Sequence, residues 1–172
     1  MKKLFILNLL NLFILQSFAF AESKNVSVNV KANIDTVLEL NIEQTGQSEL
    51  RFGNIRASAT QASETAPIII KIHVTSNIGE SYQIIQSVGN ALKNAQGDTI
   101  GSENLKFKTT AAKTSGTVIS TPTPVSKYSQ TVFTSDANGT SDTIQAEYTL
   151  SVPPSQAPGD YSALLTYTVS SL

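Results

Sequence analysis

The 172-residue chain holds a single histidine, His73, and no cysteine. Nucleophilic catalysis would therefore run through a Ser hydroxyl placed beside His73. That chemistry needs the hydroxyl within hydrogen-bond reach of the imidazole, and a third group that orients the ring. No G-x-S-x-G elbow marks a nucleophile in the sequence, and His73 falls on the polar side of an alternating stretch, where a solvated strand residue is the expectation. Glycosidase chemistry asks only for two carboxylates facing one cleft. The carboxylates lie instead on outward strand parities (Glu39, Glu43, Glu147) or in turns (Asp98, Asp136, Asp160), which suits solubility.

Metal chemistry is equally thin. Without cysteine there is no thiolate site and no disulfide, and one histidine cannot build a multi-histidine site. Asp136-Ala137-Asn138-Gly139-Thr140-Ser141-Asp142 offers alternating oxygens of the kind calcium takes, with Glu147 at the twelfth position counted from Asp136. Ser141 stands where such a loop needs glycine, and the flanks read as strands, so a turn is expected there. Asn25 and Asn138 each begin an N-x-[ST] sequon, which means little without a known glycosylating source. Single scattered glycines leave no phosphate-cradling loop. The expectation is a protein without catalytic residues, cofactor or metal.

Twelve Lys and Arg against thirteen Asp and Glu give a formal charge of -1, with no basic cluster for nucleic acid or an anionic membrane surface. Ser and Thr together number 40, and 15% of residues are charged, a mixture that disfavours helices and suits exposed β structure. The first segment reads as an address. Lys2 and Lys3 precede an apolar stretch from Leu4 to about Phe18, and Ala19-Phe20-Ala21 supplies the A-x-A pattern of signal peptidase. Cleavage is expected between Ala21 and Glu22, which makes residues 1–21 a signal peptide. The product is then exported, with no segment left for membrane insertion.

Strict alternation opens the segment that follows: Val26, Val28, Val30, Ala32 and Ile34 share one parity. Leu38, Leu40 and Ile42 continue as a second strand, Leu50-Arg51-Phe52-Gly53 as a short third, and Ala57 to Ala66 as a loop or crossover. Ile68, Ile70, Ile72 and Val74 give the strongest strand signal, which predicts a central strand; after the Ser76 to Gly79 turn, Tyr82 to Ile85 reads as its hairpin partner. Leu105 and Phe107 begin another strand, and Thr109 to Ser129 reads as a long exposed loop or irregular edge. Val132-Phe133 and the stretch Ile144 to Val152 read as a hairpin closed by Asn138-Gly139 in a type I′ turn. Tyr161, Ala163, Leu165, Tyr167 and Val169 form the last strand. Eight or nine strands without a 3.6-residue period predict an all-β, immunoglobulin-like sandwich over residues 34–172, with a barrel as the alternative.

Three stretches carry a family resemblance. Glu22 to Leu40, an alternating strand leading into Asn33-Ile34-Asp35-Thr36-Val37-Leu38, resembles the N-terminal region of the colonisation-factor (alpha-class) pilins of the chaperone–usher pathway. Ala157-Pro158-Gly159-Asp160-Tyr161-Ser162-Ala163-Leu164-Leu165-Thr166-Tyr167 is similar to the closing strand of those pilins and of spore coat protein U-like secreted domains, and Leu50-Arg51-Phe52-Gly53 resembles the "l-x-FG" stretch common in pilins. The absence of cysteine departs from the coat-protein group and agrees with the alpha class, while Asn33 to Thr36 lacks the family's proline. The resemblance implies a sandwich missing one strand, completed by residues 22–33 of the next subunit, with Val26, Val28, Val30 and Ala32 as the inward side chains of that donor strand. It implies copies of the chain itself as partners in a fimbrium supporting adhesion, and a periplasmic chaperone and an outer-membrane usher in transit. A monomeric secreted or periplasmic binding module, using the loops Ala57–Ala66 and Thr109–Ser129, is the alternative; a two-carboxylate hydrolase is a third.

Overall fold

A computed structural model describes residues 28–44, 50–89, 91–113 and 115–172. One of the chain's two compact units runs from Asp35 to Leu172, and its regular structure is almost wholly β. Seven strands carry it: β1 (Leu38–Gln44), β3 (Ile68–Ser76), β4 (Tyr82–Val88), β7 (Leu105–Ala111), β10 (Gln130–Thr134), β11 (Asp142–Val152) and β12 (Leu165–Ser171). Between them lie the two-residue strands β2 (Ser63–Glu64), β5 (Leu92–Lys93), β6 (Thr99–Ile100), β8 (Thr117–Val118) and β9 (Thr123–Pro124), and one turn of 3₁₀ helix at Ser102–Asn104.

The alternation read from the sequence decides which face each strand buries. Ile70, Ile72 and Val74 of β3 turn inward, as do Ile144, Ala146, Tyr148, Leu150 and Val152 of β11 and Leu105 and Phe107 of β7. These strands form one antiparallel sheet in the order β1-β3-β11-β7-β9, with β2 added at the far end of β11. The second sheet, β12-β4-β10-β8, contributes Tyr82, Ile84, Val88, Val132 and Phe133. Each buried Val, Leu, Ile or Phe among them contributes roughly 1.5–3 kcal/mol by leaving water. Val132 and Phe133 are adjacent yet both buried, because the register of β10 against β4 shifts between Thr131 and Phe133 and the bulge aims both inward. The strand order matches the A-B-E-D and F-C halves of an immunoglobulin sandwich, with β1, β3, β4, β7, β11 and β12 as A, B, C, D, E and F.

Several sequence expectations are corrected by pairing. Tyr82 to Ile85 is not the hairpin partner of β3: β1 and β11 occupy both edges of β3, so the chain crosses to the other sheet at Ser76 to Gly79. The Asp136 to Gly139 turn likewise joins the two sheets, since β10 and β11 do not pair. It is not type I′ either, because only Gly139 has positive φ there (60°). Its amide donates to Asp136 O at 3.1 Å, which places Asp first and Gly last in the turn as type I favours. A Cβ on Gly139 would collide with the Glu80 carbonyl. Leu50 to Gly53 is no strand; Leu50, Phe52 and Ile55 pack half-buried on the core. Of the stretch Thr109 to Ser129, Thr109 to Ala111 complete β7 and the described remainder is an irregular edge that carries β8 and β9; Thr109 and Val125 are buried, with the Thr109 hydroxyl donating to Val132 O at 2.9 Å and accepting the Ile119 amide at 2.8 Å. The last strand begins at Leu165 instead of Tyr161.

Candidate functional site

The sandwich is unevenly finished. Strand β4 is fully inward at every second residue, with Tyr82, Ile84, Gln86 and Val88 all buried. Its neighbour β12 pairs with β4 on one side (Leu165↔Val88 to Ser171↔Tyr82), and no strand pairs with its other side among the described residues. Leu165, Tyr167 and Val169 are accordingly only half-buried. On the first sheet β1 pairs with β3 alone; Leu38 and Leu40 are half-buried, and Ile42 is 42% exposed. An unpaired strand edge above incompletely covered apolar side chains is a template for one more strand.

A polar network sits under that edge. The Tyr148 hydroxyl donates to Gln86 Oε1 at 2.6 Å and is hydrogen-bonded to the Tyr167 hydroxyl, so β11 of one sheet is tied to β4 and β12 of the other. Gln86 and Tyr148 are both wholly buried, and Phe107 stacks on Tyr148 with ring centroids 5.8 Å apart. Gln86 Nε2 reaches Gln130 Oε1 at 3.4 Å, and Gln130 Oε1 also accepts the Ser126 amide at 3.1 Å. Burial pushes both phenols up from their ordinary pKa, well above it for Tyr167, where the neighbouring Tyr148 adds to the effect. Sequence reading missed this network. Its one signal was Gln86, a polar residue on the inward parity of Tyr82, Ile84 and Val88.

Of the residues the sequence assigns to the donor strand, Val28 is 80% exposed, Val30 91% exposed, and Ala32 exposed; Ile34, on the same parity, is 83% exposed. Residues 28–37 belong to no strand. Val26, and the cleavage site at Ala21 and Glu22, lie outside the described residues.

His73 proves better connected than a solvated strand residue. Its Nε2 meets Glu43 Oε2 at 2.9 Å and its Nδ1 meets Thr143 Oγ1 at 3.0 Å, so β1, β3 and β11 are tied across the outer face. Lys71 Nζ lies 3.8 Å from the same carboxylate oxygen. The His73 hydrogen bond, and then the Lys71 charge, hold the Glu43 carboxyl below its ordinary pKa. The sequence hid this cluster because it depends on strand register, which pairs Thr143 with His73 and sets Glu43 diagonally across from it. Hydroxyl, imidazole and carboxylate in series are the order of a nucleophile relay, but they lie on an open sheet face. The hollow nearby, between Ile69, Lys108, Thr110, Gln145 and Glu147, measures about 20 Å³, room for a single water.

The acidic turn does not gather its oxygens. Asp136 accepts the Thr140 amide at 2.9 Å and its hydroxyl at 2.8 Å, which lowers its pKa, while Asp142 accepts the amides of Lys113 at 3.1 Å and Thr143 at 2.7 Å. Glu147 pairs with Lys108 at 3.0 Å. Among the described residues no three Asp, Glu or His groups converge on a point that could hold a metal ion, and no helix is long and apolar enough to cross a membrane. No protein-family model matches the chain, and no curated protein matches it either.

Proposed function

We propose that this protein is an exported structural subunit of a surface fibre, assembled by strand addition, in which the segment 22–33 of one copy supplies the strand added to the open side of β12 in the next. The observation that carries the reading is the unpaired edge of β12 above half-buried Leu165, Tyr167 and Val169. The alternating apolar parity of Val26, Val28, Val30 and Ala32 suits that edge, and the exposure of Val28 and Val30 leaves those side chains to be covered. Adding a strand of one copy to another is a head-to-tail contact that does not close on itself, so it propagates as a filament. A periplasmic chaperone and an outer-membrane usher would handle the open edge before assembly, and adhesion would follow from display at the cell surface.

The test is assembly of the mature chain. Deleting residues 22–33, or making Val30→Asp, should abolish polymers on size-exclusion chromatography, because an aspartate in the groove is buried without a partner at a cost of several kcal/mol. Full-length protein that stays monomeric even at high concentration overturns the reading in favour of the monomeric binding module.

A further inference from the structure

Resting on the strand-addition reading, we propose a register for it: Ala32 of one copy packs against Tyr167 of the next, in an antiparallel pairing that also sets Val30 opposite Val169 and Val28 opposite Ser171. The Tyr167 side chain decides the match. Its hydroxyl is bonded to that of Tyr148 on the opposite sheet, so the ring spans the interior between layers about 10 Å apart. A residue added directly beside it on the same face has its Cβ only about 4.5–5.5 Å away and finds that interior space taken. A bulky neighbour would have to force the ring off Tyr148, breaking a hydrogen bond to a wholly buried residue. Along the inward parity Val26, Val28, Val30, Ala32 and Ile34, only Ala32 is small.

Direction follows from where the segment is already held. Asn77 clamps the approach to β1: its Nδ2 donates to Asp35 O at 2.8 Å, its Oδ1 accepts the Val37 amide at 2.6 Å, and its own amide donates to Val37 O at 3.1 Å. With Ala32 beside Tyr167, a parallel pairing along β12 would draw in Asp35 and Thr36, which that clamp holds in their own domain. The antiparallel pairing uses residues 28–33 against 166–171, leaves Ile34 as the joint, and is slightly more stable per residue. A slip of two residues would place Val30 or Ile34 against Tyr167. A slip of one would turn the apolar side chains to solvent.

The natural chain has no cysteine, so engineered disulfides read the register directly. The mature chain is made with Val30→Cys and Val169→Cys, or with Val28→Cys and Ser171→Cys. As controls the same four positions are recombined: Val28→Cys with Val169→Cys, and Val30→Cys with Ser171→Cys. Opposed residues stand within disulfide reach, whereas partners offset by two residues lie beyond about 7 Å. Mild oxidation should convert most of the first two variants, and under a tenth of the controls, into dithiothreitol-sensitive ladders on a denaturing gel. Because every position appears in both arms, a substitution that spoils folding would silence one variant of each. Ladders from either control, or polymers with no covalent ladder in any variant, overturn the register while leaving strand addition standing. Covalent monomers, or no polymer at all, overturn strand addition and the register with it.

Discussion

Tyr148 carries more of the fold than its apolar parity announces. Alternation sets it inward as one of five residues of β11, but its hydroxyl holds Gln86 at 2.6 Å in a site from which water is excluded. Tyr148→Phe removes that donor and leaves the Gln86 carbonyl unsatisfied, at a cost of about 1–3 kcal/mol. Tyr167→Phe should cost less, since Tyr148 still donates to Gln86 and loses only a bond at the half-buried edge. Urea denaturation of the two variants checks the order; equal costs, or a neutral Tyr148→Phe, would show that Gln86 has another partner. The same phenols set the alkaline limit. Burial, helped by Asp142 and Asp136, pushes Tyr82 up to about 12, and Tyr148 and Tyr167 are raised as well. A phenol whose pKa is higher folded than unfolded supports folding fully below about pH 10. That support is lost as pH rises from there through the folded value. The urea midpoint should therefore hold to about pH 9 and fall above about pH 10. Ionisation of these three tyrosines near pH 10 with the fold intact would contradict it.

At the scale of elements, alternation told which face of a strand is buried but not which strand lies beside it. The inward parities of β1, β3, β7 and β11 were legible because a face buried against a second layer must be apolar at period two. The two hairpins were not. Short polar links such as Ser76 to Gly79 and Asp136 to Gly139 serve equally to join neighbours about 4.8 Å apart or to cross between layers about 10 Å apart. What decides is whether the earlier strand has a free edge, and β3 has none. Leu50 to Gly53 failed for a different reason: two apolar residues at period two are enough for a half-buried irregular segment to cover a core. The candidate site was half legible. Val28, Val30 and Ala32 stood out by pattern, while the edge they are proposed to meet arises from long-range pairing of β12 with β4, and the His73 cluster from the register of three strands.

At the scale of the molecule, an incomplete edge makes stability a property of the assembly. A strand that binds only the folded sandwich stabilises it by mass action, by RT ln(1 + [L]/Kd), or about 2.7 kcal/mol when the free strand is at 100 times its Kd. For a domain the size of Asp35–Leu172 that gain raises Tm by roughly 5–11 °C. A chain lacking residues 22–33 should therefore melt higher as a synthetic peptide of that sequence is added, with the shift rising logarithmically once the peptide exceeds its Kd. A peptide with Val30→Asp serves as the control. Its charge would sit unpaired in the groove, so it should give no shift over the same concentration range. Sequence specificity separates strand addition from general apolar stickiness, because both peptides share every other residue. If the two peptides act alike, or neither moves Tm, the edge of β12 is finished as it stands, and the alternation of residues 26–32 needs another explanation.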